Sequence, residues 1–259
     1  AGPPRAREYG LWIGRRYRAL GNILWVHGGD RNPWDVKDEV RALAQAIREV
    51  DEQHLHTGHW ANGTSAFDWF GDETWLDVNS SYTYGPVAWR ILADRGVVPP
   101  KPTFLIESHY ENDFGGKTAD DVRAYPYRAV LSGAAGHLFG NKPLWYCGKG
   151  WEEALDSPGA RFMAHALAFF RSRPWYELEP DRKHQLVVEG HDRARAIVMT
   201  GGRNISVSYY GINEDGSQDP TAYQDMEIII RSGPAETGGS QGVGDVATAS
   251  SARSWKNSA

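Results

Sequence analysis

The clearest fold signal in the chain lies between Pro102 and Asn112, which read Pro-Thr-Phe-Leu-Ile-Glu-Ser-His-Tyr-Glu-Asn. A proline can begin a strand but cannot donate to its ladder. The β-branched, aromatic and aliphatic residues that follow are typical of a strand buried on both faces. Glu107 stands where this apolar run ends. A carboxylate at the mouth of a buried parallel strand is costly to desolvate, so it indicates either a structural ion pair or a functional group.

The composition excludes several classes of partner. The 259 residues carry a net charge of −5, which provides no basic surface for nucleic acid. A single cysteine, Cys147, excludes an internal disulfide and a cysteine-based metal site. No apolar run has the length of a membrane span, so no membrane partner is expected. The 11 tryptophans are unusual. Most are expected in the core, but aromatic faces also pack against the C–H faces of sugar rings.

Predicted strands and helices alternate along the first two-thirds of the chain. The strands are centred near residues 25, 56, 77, 105 and 138, and the helices are predicted at about 6–20, 36–50, 86–95, 118–132 and 158–171. A spacing of one βα unit implies right-handed crossovers and a parallel sheet. Because no glycine-rich phosphate loop is present, the pattern favours a partial (β/α)8 TIM barrel of about five βα units, which is an α/β fold.

Three details of the helices and strands are also predicted. Asp35 is expected to cap the second helix, and Thr118 with Asp121 is expected to form a capping box. Pro126 is expected to kink the helix that follows this box. The third strand is expected to run over residues 75–80.

A different pattern begins after Pro174. Short β-rich runs at 185–189, 194–200, 204–210 and 226–230, separated by Gly, Asp and Asn turns, predict a small antiparallel β domain. From Gly233 the chain is rich in Gly, Ser, Ala and Thr, which predicts a disordered tail. The predicted organisation is therefore a barrel part over residues 1–173, a β domain over 174–232 and a tail over 233–259.

Polar residues gather just after the predicted strands, on the face where barrel enzymes build their active sites. Asp30 and Glu107 form the sharpest candidate pair. Glycoside hydrolysis needs one carboxyl group to protonate the leaving oxygen and another to attack or to activate water. Many barrels carry two acids on this face, so spacing alone is a weak signal. The barrel argument adds five candidate substrate-binding residues: His27, His59, Tyr82, Asn141 and Trp145.

The histidines suggest a metal site as an alternative. His54, His56 and His59 lie close together, and a strand would place His54 and His56 on the same side. A satisfied or solvent-facing histidine cluster is more common than a metal site, and no acidic ligand stands at a diagnostic spacing. The sequence therefore predicts neither a metal nor a cofactor.

Four motifs together resemble the apiosidase-like glycoside hydrolases. They are Asn22-Ile-Leu-Trp-Val-His-Gly-Gly-Asp30, Pro102-Thr-Phe-Leu-Ile-Glu107-Ser-His-Tyr110-Glu111, Leu131-Ser-Gly-Ala-Ala-Gly-His137-Leu-Phe-Gly140 and Pro158-Gly-Ala. The resemblance implies a (β/α)8-barrel enzyme, and the known activity of this type removes apiose-containing side chains from pectin. The stretch that begins at Ser172-Arg-Pro-Trp175 resembles the small β domain, sometimes labelled collagen-binding, that often follows this barrel.

Carried over by position, the resemblance implies that Asp30 is the general acid/base and Glu107 the nucleophile or second carboxylate. Tyr110 and Glu111 would be pocket residues that orient Glu107 or hold a sugar hydroxyl. In the family, three βα units precede the strand that begins at Asn22. The chain is therefore expected to be N-terminally incomplete, with five strands of eight, two exposed sheet edges and part of the core exposed.

The expected protein is a secreted or periplasmic glycosidase that acts on plant or other complex polysaccharide or oligosaccharide. Two rival hypotheses stay open. One is a non-catalytic carbohydrate- or matrix-binding protein, in which the carboxylates only hydrogen-bond sugar hydroxyls. The other is an inactive fragment. The sequence predicts no particular oligomeric state.

Overall fold

The structure is a computed structural model that describes residues 2–113 and 117–180, together with the backbone of six short strands beyond residue 193. The chain divides into two compact units. The first comprises residues 1–130 and 134–167, and the second comprises residues 131–133 and 168–259. None of the described helices is both long enough and apolar enough to cross a membrane.

Helices and parallel strands alternate in the first unit, as the sequence predicted. The strands are β1 (Leu24–Gly28), β2 (Leu55–His59), β3 (Asn79–Tyr82) and β4 (Thr103–Glu107). The helices are α1 (Gly2–Tyr17), α2 (Lys37–Val50), α3 (Phe67–Phe70), α4 (Val87–Asp94), α5 (Ala119–Leu131), α6 (Lys142–Trp145), α7 (Trp151–Ala154) and α8 (Pro158–Arg171). The last residues of α5 and α8 belong to the second unit.

The four strands form two parallel pairs. β1 pairs with β2, ending at Gly28↔His59, and β3 pairs with β4, ending at Tyr82↔Glu107. The two pairs are neighbours, because the segment just before β3 donates two backbone N–H groups to His56 O, each at 3.1 Å. Since parallel strands point the same way, their carboxyl ends lie at one edge, where a ligand site is normally built.

The strand predicted near residue 138 is reduced to a bridge. Leu105 pairs with His137 in parallel register; its N–H donates to Gly136 O at 3.0 Å, and its carbonyl accepts from Leu138 N at 3.0 Å. The segment therefore lies beside β4, where a fifth strand was expected. Its glycines offer no side chain to pack, which weakens a strand.

Two sequence predictions of detail were wrong. No side chain caps α2, which begins at Lys37 after Val36, so the Asp35 cap does not form. The third strand begins at Asn79 rather than at Trp75, because the Trp75 side chain is only 1% exposed and belongs to an aromatic core cluster.

The capping box before α5 is confirmed. Thr118 N donates to Asp121 Oδ2 at 2.8 Å, and Asp121 N donates to Thr118 Oγ1 at 3.4 Å. The helix then continues through Pro126 to Leu131.

Helix α1 lies close against α2 because two of its glycines face that helix. A Cβ at Gly10 would lie 2.7 Å from Leu43 O and 2.8 Å from Ala46 Cβ. A Cβ at Gly14 would lie 2.6 Å from the Val50 side chain. These distances are shorter than atoms tolerate, so the missing side chains set the spacing of the two helices.

Two of the apolar clusters pack beside the strands. One packs β4 against α4 and α5, and it contains Val87, Ile91, Leu105, Val122, Tyr125, Ala129 and Ala134. The other is largely aromatic, and it contains Ala44, Trp60, Ala66, Phe70, Trp75 and Leu76. Full burial of a side chain the size of leucine or phenylalanine contributes about 1.5–3 kcal/mol. Burial of these side chains therefore stabilises the strands together with the helices around them.

Part of one face of β1 and β2 is exposed. Leu24, Val26 and Leu55 are 41%, 44% and 52% exposed. They share a face because paired residues in a parallel ladder point the same way, as do residues two apart. Within the described residues β1 pairs only with β2. These three apolar side chains therefore lie open to solvent.

The second unit contains a 3-10 turn at Trp175–Glu177 and antiparallel strands. β5 (Glu179–Pro180) pairs with β6 (Ala194–Met199), which pairs with β7 (Ser206–Tyr209). Two shorter pairs are β8 (Gly211–Ile212) with β9 (Gln218–Asp219), and β10 (Ile229–Ile230) with β11 (Ala247–Thr248). The strand predicted at 185–189 lies outside the described residues, as does the predicted tail over 233–259 apart from β11.

Candidate active site

The turn after β1 presents Asp30 to solvent. Gly28, Gly29 and Asp30 have φ angles of 90°, 150° and 51°, so the chain turns sharply as it leaves the strand. A Cβ at Gly28 would lie 2.2 Å from the buried Trp60 ring and 2.6 Å from His59 O, so only glycine fits there. Aspartate tolerates the left-handed region better than most residues. The Gly-Gly-Asp motif therefore places an acid whose side chain is 74% exposed at the strand end.

Glu107 ends β4, whose five residues are all buried. The Glu107 side chain is 9% exposed, and its Oε2 lies 2.9 Å from His59 Nε2. Its Oε1 accepts a hydrogen bond from the Tyr84 hydroxyl at 3.3 Å. Burial alone would raise the pKa of Glu107, but contacts with His59, Tyr110 and Tyr84 hold its pKa below the usual value. Glu107 is therefore the ionised carboxylate near neutral pH.

His59 lies between the two carboxylates. Its Nε2 is 2.9 Å from Glu107 Oε2 and 3.8 Å from Asp30 Oδ1. One oxygen of Asp30 and one of Glu107 lie within 4.8 Å of each other. Carboxyl groups about 5–5.5 Å apart are typical of retaining glycosidases, whereas about 6.5–9.5 Å is typical of inverting enzymes. These ranges refer to whole carboxyl groups, whereas 4.8 Å bounds one pair of oxygens, so the two groups are close enough to contact one bound ligand.

The same three donor groups raise the question of a metal ion. Asp30, His59 and Glu107 bring their donor atoms within 4.8 Å of one another. His59 Nε2 lies 2.9 Å from Glu107 Oε2, closer than its 3.8 Å from Asp30 Oδ1. The sequence expectation that this site holds no metal stays a prediction.

The histidine cluster considered in the sequence does not converge on one point. His54 Nδ1 lies 2.7 Å from an oxygen of Asp51, and His56 Nδ1 lies 3.0 Å from His27 Nε2. Because His59 instead contacts Glu107, the three rings have three different partners.

Tyrosines complete the surroundings of Glu107. The Tyr82 hydroxyl donates to the Tyr84 hydroxyl at 2.8 Å, and the Tyr84 ring stacks on His109 with ring centres 4.5 Å apart. Burial and the nearby charge of Glu107 raise the pKa of Tyr82, Tyr84 and Tyr110. All three are therefore neutral hydrogen-bond donors around an ionised carboxylate.

Tyr84 was not among the residues selected from the sequence. Tyr82, which was selected, is two positions earlier, and alternate residues of an extended segment lie on the same side. This i, i+2 relation was the signal available in the sequence.

Of the predicted site residues, Asp30, Glu107, His59, Tyr82 and Tyr110 come together. Tyr110 is fixed by its neighbour in the adjacent segment, since a Cβ at Gly140 would lie 2.1 Å from the Tyr110 ring. The backbone beside it is also paired, with Glu111 N donating to Gly140 O at 2.9 Å.

Glu111 and Asn141 lie apart from this cluster, beside the start of α8. The Glu111 side chain is buried and accepts hydrogen bonds from Asn141 Nδ2 at 2.9 Å, Ser157 Oγ at 2.5 Å and Gly159 N at 3.1 Å. Gly159 is the second residue of α8, so the Glu111 carboxyl group lies at the N-terminus of that helix, where negative charge is favourable. These contacts indicate that Glu111 holds α8 to the loop after β4.

His27 and Trp145 also lie apart from the cluster. His27 is buried on the opposite face of β1 and β2 from His59, because it stands one residue before the position that pairs with His59. Its ring contacts His56 and the edge of Trp75, with ring centres 5.1 Å and 5.0 Å away. Trp145 lies on α6, is 64% exposed and contacts Tyr146.

The buried pair His27–His56 predicts that the protein loses stability in mild acid. Burial, followed by the charge of Arg48, lowers the pKa of His27 to about 4. Burial, followed by the charges of His27 and Arg48, lowers the pKa of His56 to about 3. Above the unfolded pKa of about 6.5 both states are neutral, and as the pH falls below it only the unfolded chain binds the protons. Between pH 6.5 and pH 4 the free energy of unfolding should fall by about 5 kcal/mol from the two histidines together.

Urea unfolding at pH 7 and pH 4.5 measures this loss. The double variant His27→Gln/His56→Gln should show a flatter pH dependence than the wild type. The matched control is His165→Gln, which changes an exposed histidine and should leave the slope unchanged. If the free energy of unfolding depends equally on pH in the wild type and in the double variant, His27 and His56 do not cause the loss of stability in acid.

Comparisons with known proteins identify the family of the chain. Residues 1–177 match the family model described as the apiosidase-like catalytic domain. No curated protein matches the chain. A solved glycoside hydrolase family 5 protein from Bacteroides vulgatus is 25% identical with a TM-score of 0.73, and the match covers 88% of this chain and 55% of that one. A second structure, described as a glycoside hydrolase, is 23% identical with a TM-score of 0.74 over 88% and 57% of the two chains, and it shows likeness of fold.

The chain thus spans little more than half the length of these solved relatives. Its described α/β fold with short parallel strands is similar to theirs. Because the family model covers more than half of the 259 residues, the chain belongs to the apiosidase-like catalytic-domain family.

Proposed function

We propose that this chain is part of the catalytic domain of a glycoside hydrolase that cleaves O-glycosidic bonds with the carboxylates of Asp30 and Glu107. The observation that carries the proposal is the cluster at the carboxyl ends of β1, β2 and β4. There, one oxygen of each carboxylate and His59 Nε2 lie within 4.8 Å of one another. The family match and the likeness to glycoside hydrolases of known structure support it, and they support a TIM barrel as the complete architecture.

The environments of the two acids suggest how they divide the reaction. Glu107 is buried, ionised and surrounded by donors, so it is suited to attack the anomeric carbon and form a covalent glycosyl-enzyme. Asp30 lies at the solvent side and is suited to give its proton to the leaving oxygen. Ionised Asp30 then takes a proton from water, which attacks the anomeric carbon and releases Glu107. The bond broken in the first step is the glycosidic C–O bond, and the aglycone leaves as an alcohol.

Polysaccharide is the substrate class that we propose. An apiose-containing side chain of pectin is the first compound to test, because the chain belongs to the apiosidase-like family. Such a substrate is large and lies outside the cell, so we also propose that the protein is secreted or periplasmic. The proposed partner is thus a glycan, with no metal or cofactor in the reaction.

Hydrolysis of pectic oligosaccharides that carry apiose by the full-length protein tests this proposal. Released sugar, separated by chromatography, is the expected result. Binding without any product would favour the non-catalytic alternative. That alternative is supported by exposed aromatic side chains that could pack on sugar rings, such as Trp34 at 74% and Trp145 at 64% exposure. Binding that survives in a variant lacking both carboxylates would establish it.

A further inference from the structure

Burial alone would place the proton on the wrong carboxylate. In a two-carboxylate mechanism Asp30 must hold a proton while Glu107 is ionised. The Glu107 side chain is 9% exposed and that of Asp30 is 74% exposed. Because burial disfavours the charged form of a carboxyl group, Glu107 would be the acid and Asp30 the anion if nothing else acted. Some neighbouring group must therefore reverse this order.

His59 is placed to do so. Its Nε2 is nearly 1 Å closer to Glu107 than to Asp30, at 2.9 Å against 3.8 Å. A protonated imidazole this close to a carboxylate favours the ionised form of that carboxylate. The ring is held in place, since His59 pairs with Gly28 in the β1–β2 ladder and its ring centre lies 5.2 Å from that of Tyr82.

The other groups that donate hydrogen bonds to Glu107 are uncharged. Tyr84 reaches it at 3.3 Å, and both Tyr84 and Tyr110 are neutral hydroxyl donors. Neutral donors form weaker bonds to a carboxylate than charged ones. The titratable groups that face Glu107 or its donors are Asp30, His59, Tyr82, Tyr84, His109, Tyr110 and Asp113.

We propose that His59 is a positioning residue that keeps Glu107 ionised and so directs the proton of the carboxylate pair to Asp30. This role differs from substrate binding, because His59 acts on the reaction through Glu107. The assignment rests on the proposed function only for the catalytic roles of the two acids. The ionisation of Glu107 is a property of the folded chain and is measurable without any substrate.

The test is an NMR titration of side-chain carboxyl carbons in protein labelled with ¹³C at glutamate, with the Glu107 signal assigned by its loss in Glu107→Gln. In His59→Phe the midpoint of Glu107 should rise by about 1–3 pH units, which is the usual effect of losing one close opposite charge. His59→Gln keeps an N–H donor but cannot be charged, so its midpoint should fall between those of the wild type and His59→Phe. The exposed control His165→Phe should leave Glu107 unmoved.

An unchanged Glu107 midpoint in His59→Phe would overturn the inference. If that variant does not fold, His59→Gln decides, and a midpoint equal to the wild type would then overturn it. The pH profile of hydrolysis gives a second reading, because the acid limb of kcat/KM should move to higher pH in the same order of variants. If the Glu107 midpoint shifts but the wild-type protein has no hydrolytic activity, the proposed function is wrong and the role of His59 is supported. If the wild-type protein hydrolyses the substrate but the midpoint does not shift, the proposed function is supported and the role of His59 is wrong.

Discussion

Replacing Glu107 with glutamine should reduce hydrolysis by about 10⁴-fold or more and leave the protein folded. Glutamine has nearly the same size as glutamate and can still pair with His59 and Tyr84, so the buried site stays filled. It cannot attack the anomeric carbon as an anion, and therefore the covalent step is lost. The measurement is kcat/KM on the pectic substrate, with circular dichroism and the thermal midpoint as checks of the fold.

Glu153→Gln is the matched control for this change. Glu153 lies on α7 with an exposed side chain, so the same loss of charge should leave kcat/KM near the wild-type value. Near wild-type turnover by Glu107→Gln would remove Glu107 from the mechanism. Substrate binding by this variant should persist, because glutamine keeps nearly the size of glutamate and the neighbouring side chains stay in place.

Replacing Glu111 with alanine should destabilise the protein by about 3–5 kcal/mol, the largest loss of stability that we expect from one change at this edge of the strands. The Glu111 carboxyl group accepts hydrogen bonds from Asn141, Ser157 and Gly159 in a buried setting. Without it, these donors are left unpaired, and the N-terminus of α8 loses its negative partner. Urea unfolding near pH 7 measures the change.

Two comparisons separate this mechanism from a general effect of truncation. Glu111→Gln keeps the side-chain volume and one acceptor oxygen, so its loss of stability should be smaller than that of Glu111→Ala. Glu153→Ala removes an exposed glutamate from α7 and should change stability by less than about 0.5 kcal/mol. A loss in Glu111→Ala no larger than in Glu153→Ala would show that the buried contacts contribute little.

The alternation of strands and helices in the first unit could be predicted from hydrophobic patterning. Continuous apolar runs, typical of buried strands, differ clearly from apolar residues repeated at the helical period. β4 is the best case, since Thr103 to Glu107 form the strand that the sequence indicated. The Trp75 segment shows the limit of such reasoning. An apolar run of this kind can equally be a turn folded into an aromatic cluster, and only tertiary packing decides between them.

The two carboxylates could be predicted because Glu107 ends a strand and Asp30 closely follows one, and strand ends are brought together by the parallel topology. The residues that surround the two carboxylates were harder to predict. His27 and His59 each stand within one residue of a strand end, yet they lie on opposite faces, because strand register and not proximity to the end determines the side. Glu111 stands four residues after Glu107, but the loop directs it to α8 instead.

The stereochemistry of the first product tests the central claim most directly. Proton NMR recorded in the first minutes of hydrolysis, before mutarotation, gives the anomeric configuration of the released sugar. Our account predicts retention, because Glu107 is suited to be the nucleophile and one of its oxygens lies within 4.8 Å of one oxygen of Asp30. Release of the inverted anomer would contradict it, because a water molecule would then have to stand between the sugar and a base.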